Sequence, residues 1–102
     1  MPKGYWIVRA DVSDPEQYKK YVEANAAPLA RHGARFLVRG GASERLEGSA
    51  RARNVVVEFA SVEAARACYA DPGYRRAITF RQKAAEFDLV IVEGYDGPQP
   101  GD

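Results

Sequence analysis

The sequence predicts a single α+β domain of the ferredoxin-like class, in which a four-stranded antiparallel sheet carries helices on one face. Three observations lead to this prediction. Four segments rich in β-branched and aromatic residues alternate in polarity, two Asp-Pro steps open segments with helical spacing, and 102 residues suffice for one core. The elements follow in the order strand, helix, strand, strand, helix, strand. Right-handed crossovers place the first and third strands at the centre and the fourth and second at the edges.

The first strand and the first helix occupy the N-terminal third of the chain. Residues 4–12, GYWIVRADV, alternate as a strand does. Asp14 is a preferred type of helix N-cap, and Pro15 suits the first helical position. Pro28 is expected to kink or interrupt this helix because proline lacks an N–H donor, and Gly33 is expected to end it. The stripe predicted to be buried consists of Tyr18, Tyr21, Val22, Asn25 and Leu29.

The second and third strands are predicted to form a long hairpin. RFLVRGG, residues 35–41, is the second strand, and RNVVVEF, residues 53–59, is the third. Residues 40–52 are interpreted as a bent hairpin arm that turns at Glu-Gly-Ser. Gly40 and Gly41 would permit a β-bulge at its base.

The C-terminal half predicts two helical segments and the last strand. Ser61 is expected to cap a short helix, and the Asp-Pro step that opens residues 71–86 begins a further helical segment at a new angle. Residues 87–95, FDLVIVEGY, are the fourth strand. The domain therefore covers residues 1–95, and residues 96–102, rich in Pro and Gly, are expected to be a flexible tail.

Alternation gives the predicted sheet two apolar faces. The face under the helices should hold Trp6, Val8, Ala10, Phe36, Val38, Val55, Val57 and Phe59. The opposite face should hold Tyr5, Ile7, Arg9, Arg35, Leu37, Arg39, Val56 and Glu58. The fourth strand offers an apolar set in either phase, so periodicity does not orient it. The second face is too apolar to remain exposed to water as one continuous patch. We therefore expect a homodimer in which two copies pack these faces together.

Composition excludes several classes of function. The 15 basic and 14 acidic side chains give a net charge of +1, which provides no field for nucleic acid or an anionic membrane. No apolar run approaches the roughly 20 residues of a membrane-spanning helix. A lone cysteine, Cys68, and the lack of a signal-peptide core predict a reducing cytoplasm, and the excess of Arg over Lys favours a bacterial source.

Arg39 and Glu58 are the leading candidates for catalysis. A hairpin that turns near Gly48 places them roughly opposite each other, unless a glycine bulge shifts the register by one residue. The guanidinium of Arg39 could then hold a carboxylate of a small substrate, and Glu58 could abstract a proton. The alternative is a structural ion pair that sets the hairpin register or the dimer seam.

Five further residues are candidates for contacts with a ligand: Arg9, Tyr18, His32, Tyr69 and Arg81. Each also has a structural interpretation. The arginines can be solvated, the tyrosines can be core aromatics with a polar tip, and the histidine can interact with the dipole at its helix C-terminus.

No metal or cofactor site is predicted. A second His or Cys at ligand spacing is missing, and no P-loop or serine elbow is present. Cys68 lies among alanines without a neighbouring His or Lys, which is typical of an inert buried thiol. The basic SARAR segment could suggest RNA binding, but RNA-recognition modules stack bases on aromatic residues where NVVVEF has valines. No nucleic-acid partner is therefore expected.

Three segments carry a resemblance to a known family. YKKYVEANAAPLARHGARFLVRGG, VVVEFASVEAARACYADPGYRRA and IVEGY resemble the bacterial domain of unknown function 1330 family, within the dimeric α+β barrel group. The resemblance spans residues 4–95 and implies a ferredoxin-like protomer whose sheet packs on that of a second copy. It implies no reaction, because the family takes its name from having no established one. The wider group is similar only in fold and includes cofactor-free monooxygenases, lactone isomerases and haem enzymes, so a function taken from it would be an analogy. A single histidine without a place for an axial ligand argues against haem.

Two functional hypotheses follow. In the first, the protein is a cofactor-independent enzyme for a small acidic or carbonyl-bearing metabolite, with Arg39 as the anion anchor and Glu58 as the proton acceptor. In the second, it is a non-catalytic ligand-binding or stress-associated dimer in which the same residues are structural.

Overall fold

The computed structural model describes residues 2–102 and has the predicted order of elements. They are β1 (Gly4–Val12), α1 (Pro15–Arg31), β2 (Arg35–Arg39), β3 (Arg53–Phe59), α2 (Val62–Ala70), α3 (Pro72–Arg81) and β4 (Ala85–Glu93). The strands form one open antiparallel sheet in the order β2-β3-β1-β4. This confirms the α+β fold with β1 and β3 at the centre. None of the helices in the described part of the chain is long and apolar enough to cross a membrane.

The helices begin where the capping residues predict. The side chains of Asp14, Ser61 and Asp71 accept hydrogen bonds from backbone N–H groups two or three residues further on, at 3.1, 3.0 and 2.7 Å. At the other end of α1, Gly33 adopts a positive φ of 69°, which ends the helix. Pro28 does not interrupt α1, which runs on to Arg31. Its ring is fully buried, so packing compensates for the missing N–H.

The predicted hairpin arm over residues 40–52 is wrong, because this segment contains no strand. Gly40 turns the chain out of the sheet with a φ of 69°, and its N–H donates to the carbonyl of Asn54 at 2.8 Å. The following loop is anchored by polar contacts to the end of the open face. The last strand begins at Ala85 and ends at Glu93, two residues earlier than the pattern predicts.

A β-bulge in β2 changes which residues lie under the helices. Phe36 pairs with Val57, but Val38 pairs with Val56, so Leu37 is the extra residue. The predicted place of the bulge, at the glycines, is therefore wrong. Val38 moves to the face without helices, where it is 43% exposed, because one inserted residue inverts every side chain that follows it.

The same bulge separates Arg39 from Glu58. Arg39 pairs with Val55 and lies on the helix-covered face, whereas Arg35 is the residue opposite Glu58. The prediction that Arg39 faces Glu58 across the hairpin is wrong. The two side chains are on opposite faces of the sheet, so they cannot act on one substrate within a protomer.

The helix-covered face holds the hydrophobic core. The indole N–H of Trp6 donates to the carbonyl of Ala65 at 3.0 Å, which fixes α2 above the centre of the sheet. Periodicity leaves open which side of β4 faces the helices. The pairing of β4 with β1 shows that Phe87, Leu89 and Ile91 lie under them. The residues that form the buried core are Trp6, Val8, Tyr18, Tyr21, Leu29, Val55, Val57, Phe59, Ala65, Cys68, Tyr74, Ala77, Ile78 and Ala84.

Candidate functional site

A small cleft lies between α1 and the sheet, which we call the helix-side cleft. Its cavity is about 30 Å³, enough for one water molecule. Of the residues that the structure describes, those lining it include no Asp, Glu, His or Cys. They are Trp6, Val8, Tyr18, Tyr21, Val22, Asn25, Leu29, Phe36, Arg39, Arg53, Val55 and Phe87.

Two arginines, Arg39 and Arg53, line this cleft, and a third, Arg81, packs on its wall; each stacks on an aromatic ring. The guanidinium carbon of Arg39 lies 4.0 Å from the ring centroid of Phe36. That of Arg53 lies 5.6 Å from the ring of Tyr18, and that of Arg81 lies 3.7 Å from the ring of Phe87. Among residues 2–102, none of the three has a carboxylate within ion-pair distance. The Nε atoms of Arg53 and Arg81 are buried without a hydrogen-bond partner. Arg53 and Arg81 therefore carry unneutralised positive charge in a half-buried place, and Arg39 adds an exposed charge at the rim, an arrangement that suits an anion.

Two polar groups of α1 complete the cleft. Burial raises the pKa of Tyr18, as does the neighbouring Tyr21, while the guanidinium of Arg53 lowers it. Tyr18 is therefore a neutral phenol at physiological pH and can donate a proton in a hydrogen bond. Asn25 is only 6% exposed, and its Oδ1 has no partner in the described structure.

A buried tyrosine pair lies next to the cleft and is structural. The hydroxyls of Tyr21 and Tyr74 are 2.7 Å apart and satisfy each other. Burial holds the pKa of Tyr74 far above its usual value. Both rings pack into the aromatic core around Trp6.

Glu58 lies on the opposite, open face near one end of β3. Its Oε2 accepts a hydrogen bond from the hydroxyl of Tyr5 at 3.3 Å, and the Nζ of Lys3 is 3.8 Å from its Oε1. Burial raises the pKa of Tyr5, and the charge of Glu58 adds to this effect. These contacts give Glu58 local partners on the open face.

The other end of the open face carries an ion-pair network that anchors the loop over residues 40–52. Arg51 donates from Nη1 to Asp11 and to Glu86, both at 2.9 Å, and from Nε to Asp88 at 2.7 Å. These carboxylates raise the pKa of Arg51. The pKa of Asp11 is lowered, first by a hydrogen bond from the backbone N–H of the residue after Arg51 and then by Arg51 itself. Arg51 is held by three carboxylates at once, so the network is a structural clamp.

The structure brings three of the predicted site residues together and disperses the rest. Arg39, Tyr18 and Arg81 surround the helix-side cleft. Arg9 is on the open face, where its Nη2 donates to a loop carbonyl at 3.1 Å. Tyr69 packs on the core aromatics rather than on the cleft.

His32 belongs to a separate cluster at the C-terminus of α1. Its Nε2 lies 2.9 Å from Oδ2 of Asp71, whose Oδ1 accepts from Arg31 at 2.9 Å. Hydrogen bonds from Arg31, then from His32, hold the pKa of Asp71 well below its usual range. Within residues 2–102, no group of three His, Cys, Asp or Glu is arranged to hold a metal ion.

Sequence reasoning missed two residues of the cleft, Arg53 and Asn25. Both had a signal in the sequence. Asn25 is a polar residue within the apolar stripe of α1, and Arg53 precedes Val55 by two positions, which puts it on the helix-covered face.

The fold and the cleft define a ferredoxin-like α+β protein with an open sheet and a sheltered, positively charged cleft. The chain belongs to the family described as domain of unknown function 1330 (DUF1330), whose model matches residues 3–95. This confirms the resemblance found in the sequence. No curated protein matches the chain significantly.

Solved structures with similar folds include three of particular relevance. The RPA0582 protein of unknown function from Rhodopseudomonas palustris is 20% identical, with a TM-score of 0.76 over 94% of this chain and 85% of that chain. SnoaB, a cofactor-independent oxygenase from Streptomyces nogalater, is 17% identical, with a TM-score of 0.63 over 98% and 99%. A dimeric ferredoxin-like protein of unknown function from Thermobifida fusca is 17% identical, with a TM-score of 0.56 over 90% and 91%. At these identities the likeness establishes the fold alone.

Proposed function

We propose that this protein is a homodimer that binds a small anionic metabolite in the helix-side cleft and acts on it without a cofactor. The observation that carries the proposal is the set of arginines at the cleft, Arg39, Arg53 and Arg81, which lack a carboxylate partner among residues 2–102. Guanidinium groups with free donors in a partly desolvated place favour a carboxylate or an enolate.

The chemistry of the cleft is stabilisation of negative charge. Tyr18 is kept neutral by burial and can donate a hydrogen bond to an oxyanion, and Arg53 lies beside it. The cleft residues supply no carboxylate or imidazole to remove a proton. We therefore assign Arg39 as an anion anchor, in keeping with the sequence, and leave Glu58 outside this reaction centre.

The similarity to SnoaB supports the same class of chemistry at the level of the fold. That protein is a cofactor-independent oxygenase. A cleft with unpaired arginines would stabilise an anionic form of a substrate in this chain. The proposal for this chain rests on its own arginines rather than on the shared fold.

Entry of a ligand requires the rim of the cleft to move. The present cavity of about 30 Å³ has room for one water molecule, whereas a metabolite needs several times that space. Arg39 is exposed and lies on β2, an edge strand that pairs with β3 alone and contains a bulge. We propose that Arg39 leaves the ring of Phe36 and turns onto the incoming anion, since this costs few contacts.

The dimer is proposed from the open face of the sheet. Four large apolar side chains there are strongly exposed in a single protomer: Leu37, Val38, Val90 and Val92. Ile7 and Val56 are half-buried between them. Face-to-face packing of two sheets would bury this surface, and the similar protein from Thermobifida fusca is dimeric.

A second candidate function is ligand binding without turnover. It is favoured by the lack of an acidic or imidazole side chain among the described residues that line the cleft. Both candidates share the binding step, so the binding test comes first and turnover of the bound compound separates them.

The test is calorimetric titration of the protein with small aromatic and aliphatic carboxylates. We expect Arg53→Gln to weaken the best of them by about tenfold or more, as the loss of a charged hydrogen bond does. Arg66→Gln is the matched control, because Arg66 is an exposed arginine on α2 that does not line the cleft. Equal affinities for Arg53→Gln and the unmodified protein, or no carboxylate binding at all, would refute the proposal.

A further inference from the structure

Asn25 is the feature of the helix-side cleft that binding of an anion does not explain. It is nine-tenths buried, it lines the cavity, and its Oδ1 has no hydrogen-bond partner among residues 2–102. A buried amide oxygen without a partner destabilises a fold, so such groups are normally satisfied. The unpaired acceptor points to a donor that the ligand supplies.

The neighbours of Asn25 offer no substitute. Val22 and Leu29 lie one helical turn away on either side of it along the buried stripe of α1, and both are apolar. A buried water typically makes about three hydrogen bonds, and the side chains one turn away from Asn25 along α1 supply none of them. A hydrogen-bond donor on a ligand that is anchored at another point of the cleft is therefore a better partner for Oδ1 than a water molecule.

The spacing along α1 sets the size of that molecule. Tyr18 and Asn25 are seven residues apart, which is about 10 Å along a helix. Arg53 lies beside Tyr18 at one end, and the walls between the ends include the rings of Phe36 and Tyr21. This separation of the two helix positions leaves room for one six-membered ring with a polar group at each end, and aromatic walls suit a planar ring.

We infer that the ligand is a planar hydroxy acid, with its carboxylate at Arg53 beside Tyr18 and its hydroxyl donating to Oδ1 of Asn25. The inference rests on the proposed function, since it takes the anion site as given and adds the second recognition point. It makes Asn25 a specificity-determining residue. A site built to accept a hydrogen bond from a hydroxyl rejects the analogue without it, because the buried acceptor is then left unpaired.

Three probes of nearly equal size test the inference by calorimetry on the unmodified protein: 4-hydroxybenzoate, benzoate and 4-methoxybenzoate. We expect 4-hydroxybenzoate to bind about tenfold tighter than the other two. The methoxy oxygen can still accept a hydrogen bond from the amide NH₂ of Asn25, but it has no proton to donate to Oδ1. Weak binding of this compound therefore indicates that the ligand hydroxyl acts as a donor. Equal binding of the three probes would overturn the inference and leave the anion site intact.

The variant Asn25→Leu should bind all three probes equally, because it replaces the acceptor with a methyl group and keeps the branched shape and the number of heavy atoms. Val22→Ile is the matched control, since it also alters the cleft wall but should keep the preference for the hydroxyl. If Asn25→Leu fails to fold, Asn25→Ala serves in its place, and the probe comparison on the unmodified protein still decides. Failure of every carboxylate to bind would instead refute the proposed function itself. Retained hydroxyl preference in a folded Asn25→Leu would overturn the inference.

Discussion

The two faces of the sheet are built from the same four strands, yet they differ in what covers them. Under the helices, Trp6, Val57 and Phe59 are almost completely buried. On the open face the adjacent strand positions are also apolar, but Val90 remains 55% exposed and Val92 nearly as much. Strand alternation therefore provides two hydrophobic faces, and the chain supplies helices for only one of them.

The two faces also differ in how their charges are used. On the open face, Arg51 holds three carboxylates and Glu58 has partners in Tyr5 and Lys3. Around the helix-side cleft, the arginines have aromatic neighbours and no carboxylate partner among residues 2–102. Paired charges on a surface stabilise a local structure, whereas unpaired charges in a cleft are available to a ligand. This contrast locates the candidate site under the helices.

The largest effect should come from the covered face. Phe59→Ala removes a ring that is 1% exposed and packs 5.1 Å from the ring of Trp6. We expect a loss of about 3–5 kcal/mol in the free energy of unfolding, measured with urea. The neighbouring Val56→Ala, on the open face, should cost less, and its cost should increase with protein concentration because it acts through the dimer. A concentration-independent effect of Val56→Ala would contradict the difference drawn between the faces.

The next largest effect should be on assembly. Val90→Lys places a charge in the proposed interface but is exposed in the protomer, so the fold should persist. We expect the dimer dissociation constant to rise by roughly a hundredfold or more, because the ammonium would lose its solvation in an apolar interface. Sedimentation velocity reports the change. Ala26→Lys, at an exposed position on α1, is the control and should remain dimeric. If the unmodified protein is itself a stable monomer, the proposed assembly is refuted.

A smaller effect should distinguish the two originally paired candidates, Arg39 and Glu58. Arg39→Gln should weaken binding of a small carboxylate by about tenfold, because it removes a charged donor at the cleft. Glu58→Gln should leave the affinity unchanged, since this side chain is on the other face. Titration calorimetry on both variants makes the comparison. Loss of binding in Glu58→Gln alone would move the site to the open face.

Much of the fold could be predicted because it depends on local chemistry. Asp14, Ser61 and Asp71 cap helices wherever they precede a helical segment, and the bounds of β1 and β3 follow from alternation next to polar or glycine residues. The order of strands then follows from general rules of connection. These features need no knowledge of what each element packs against.

The bulge in β2 could not be predicted in the same way. Strand alternation is compatible with an extra residue at Leu37 or at the glycines, and the choice depends on how β2 packs on β3. One residue decides whether Arg39 lies under the helices or on the open face. The candidate pair with Glu58 failed for this reason, although Arg39 itself lies at the cleft.

The contacts of the helix-side cleft also could not be predicted from local sequence rules. Arg53 and Asn25 carry signals in the sequence, but a lone arginine or asparagine has many structural roles. Their importance depends on a missing partner, which only the folded arrangement reveals.

The smallest predicted effect concerns pH and the clamp on the open face. The pKa of Asp11 is lowered in the folded protein, mainly by a backbone N–H from the loop and then by Arg51. A lowered folded pKa means that this stabilisation is present above the unfolded value of about 3.9 and is lost as the pH falls through the folded value. The effect should be small because Asp11 is 50% exposed and its interactions are screened.

Arg51→Gln removes the centre of this clamp, so the variant should lose less stability than the unmodified protein when the pH falls from about 5 to about 3. Backbone amides of the loop over residues 40–52 should also exchange faster in the variant at neutral pH, because the loop is anchored mainly through Arg51. Urea unfolding and hydrogen exchange measure the two effects. Arg45→Gln is the control within the same loop, since Arg45 is exposed and has no ion pair among the described residues. Identical acid profiles and exchange rates for Arg51→Gln and Arg45→Gln would show that the ion pairs of Arg51 do not anchor the loop to the open face. The two faces would then differ in hydrophobic burial alone.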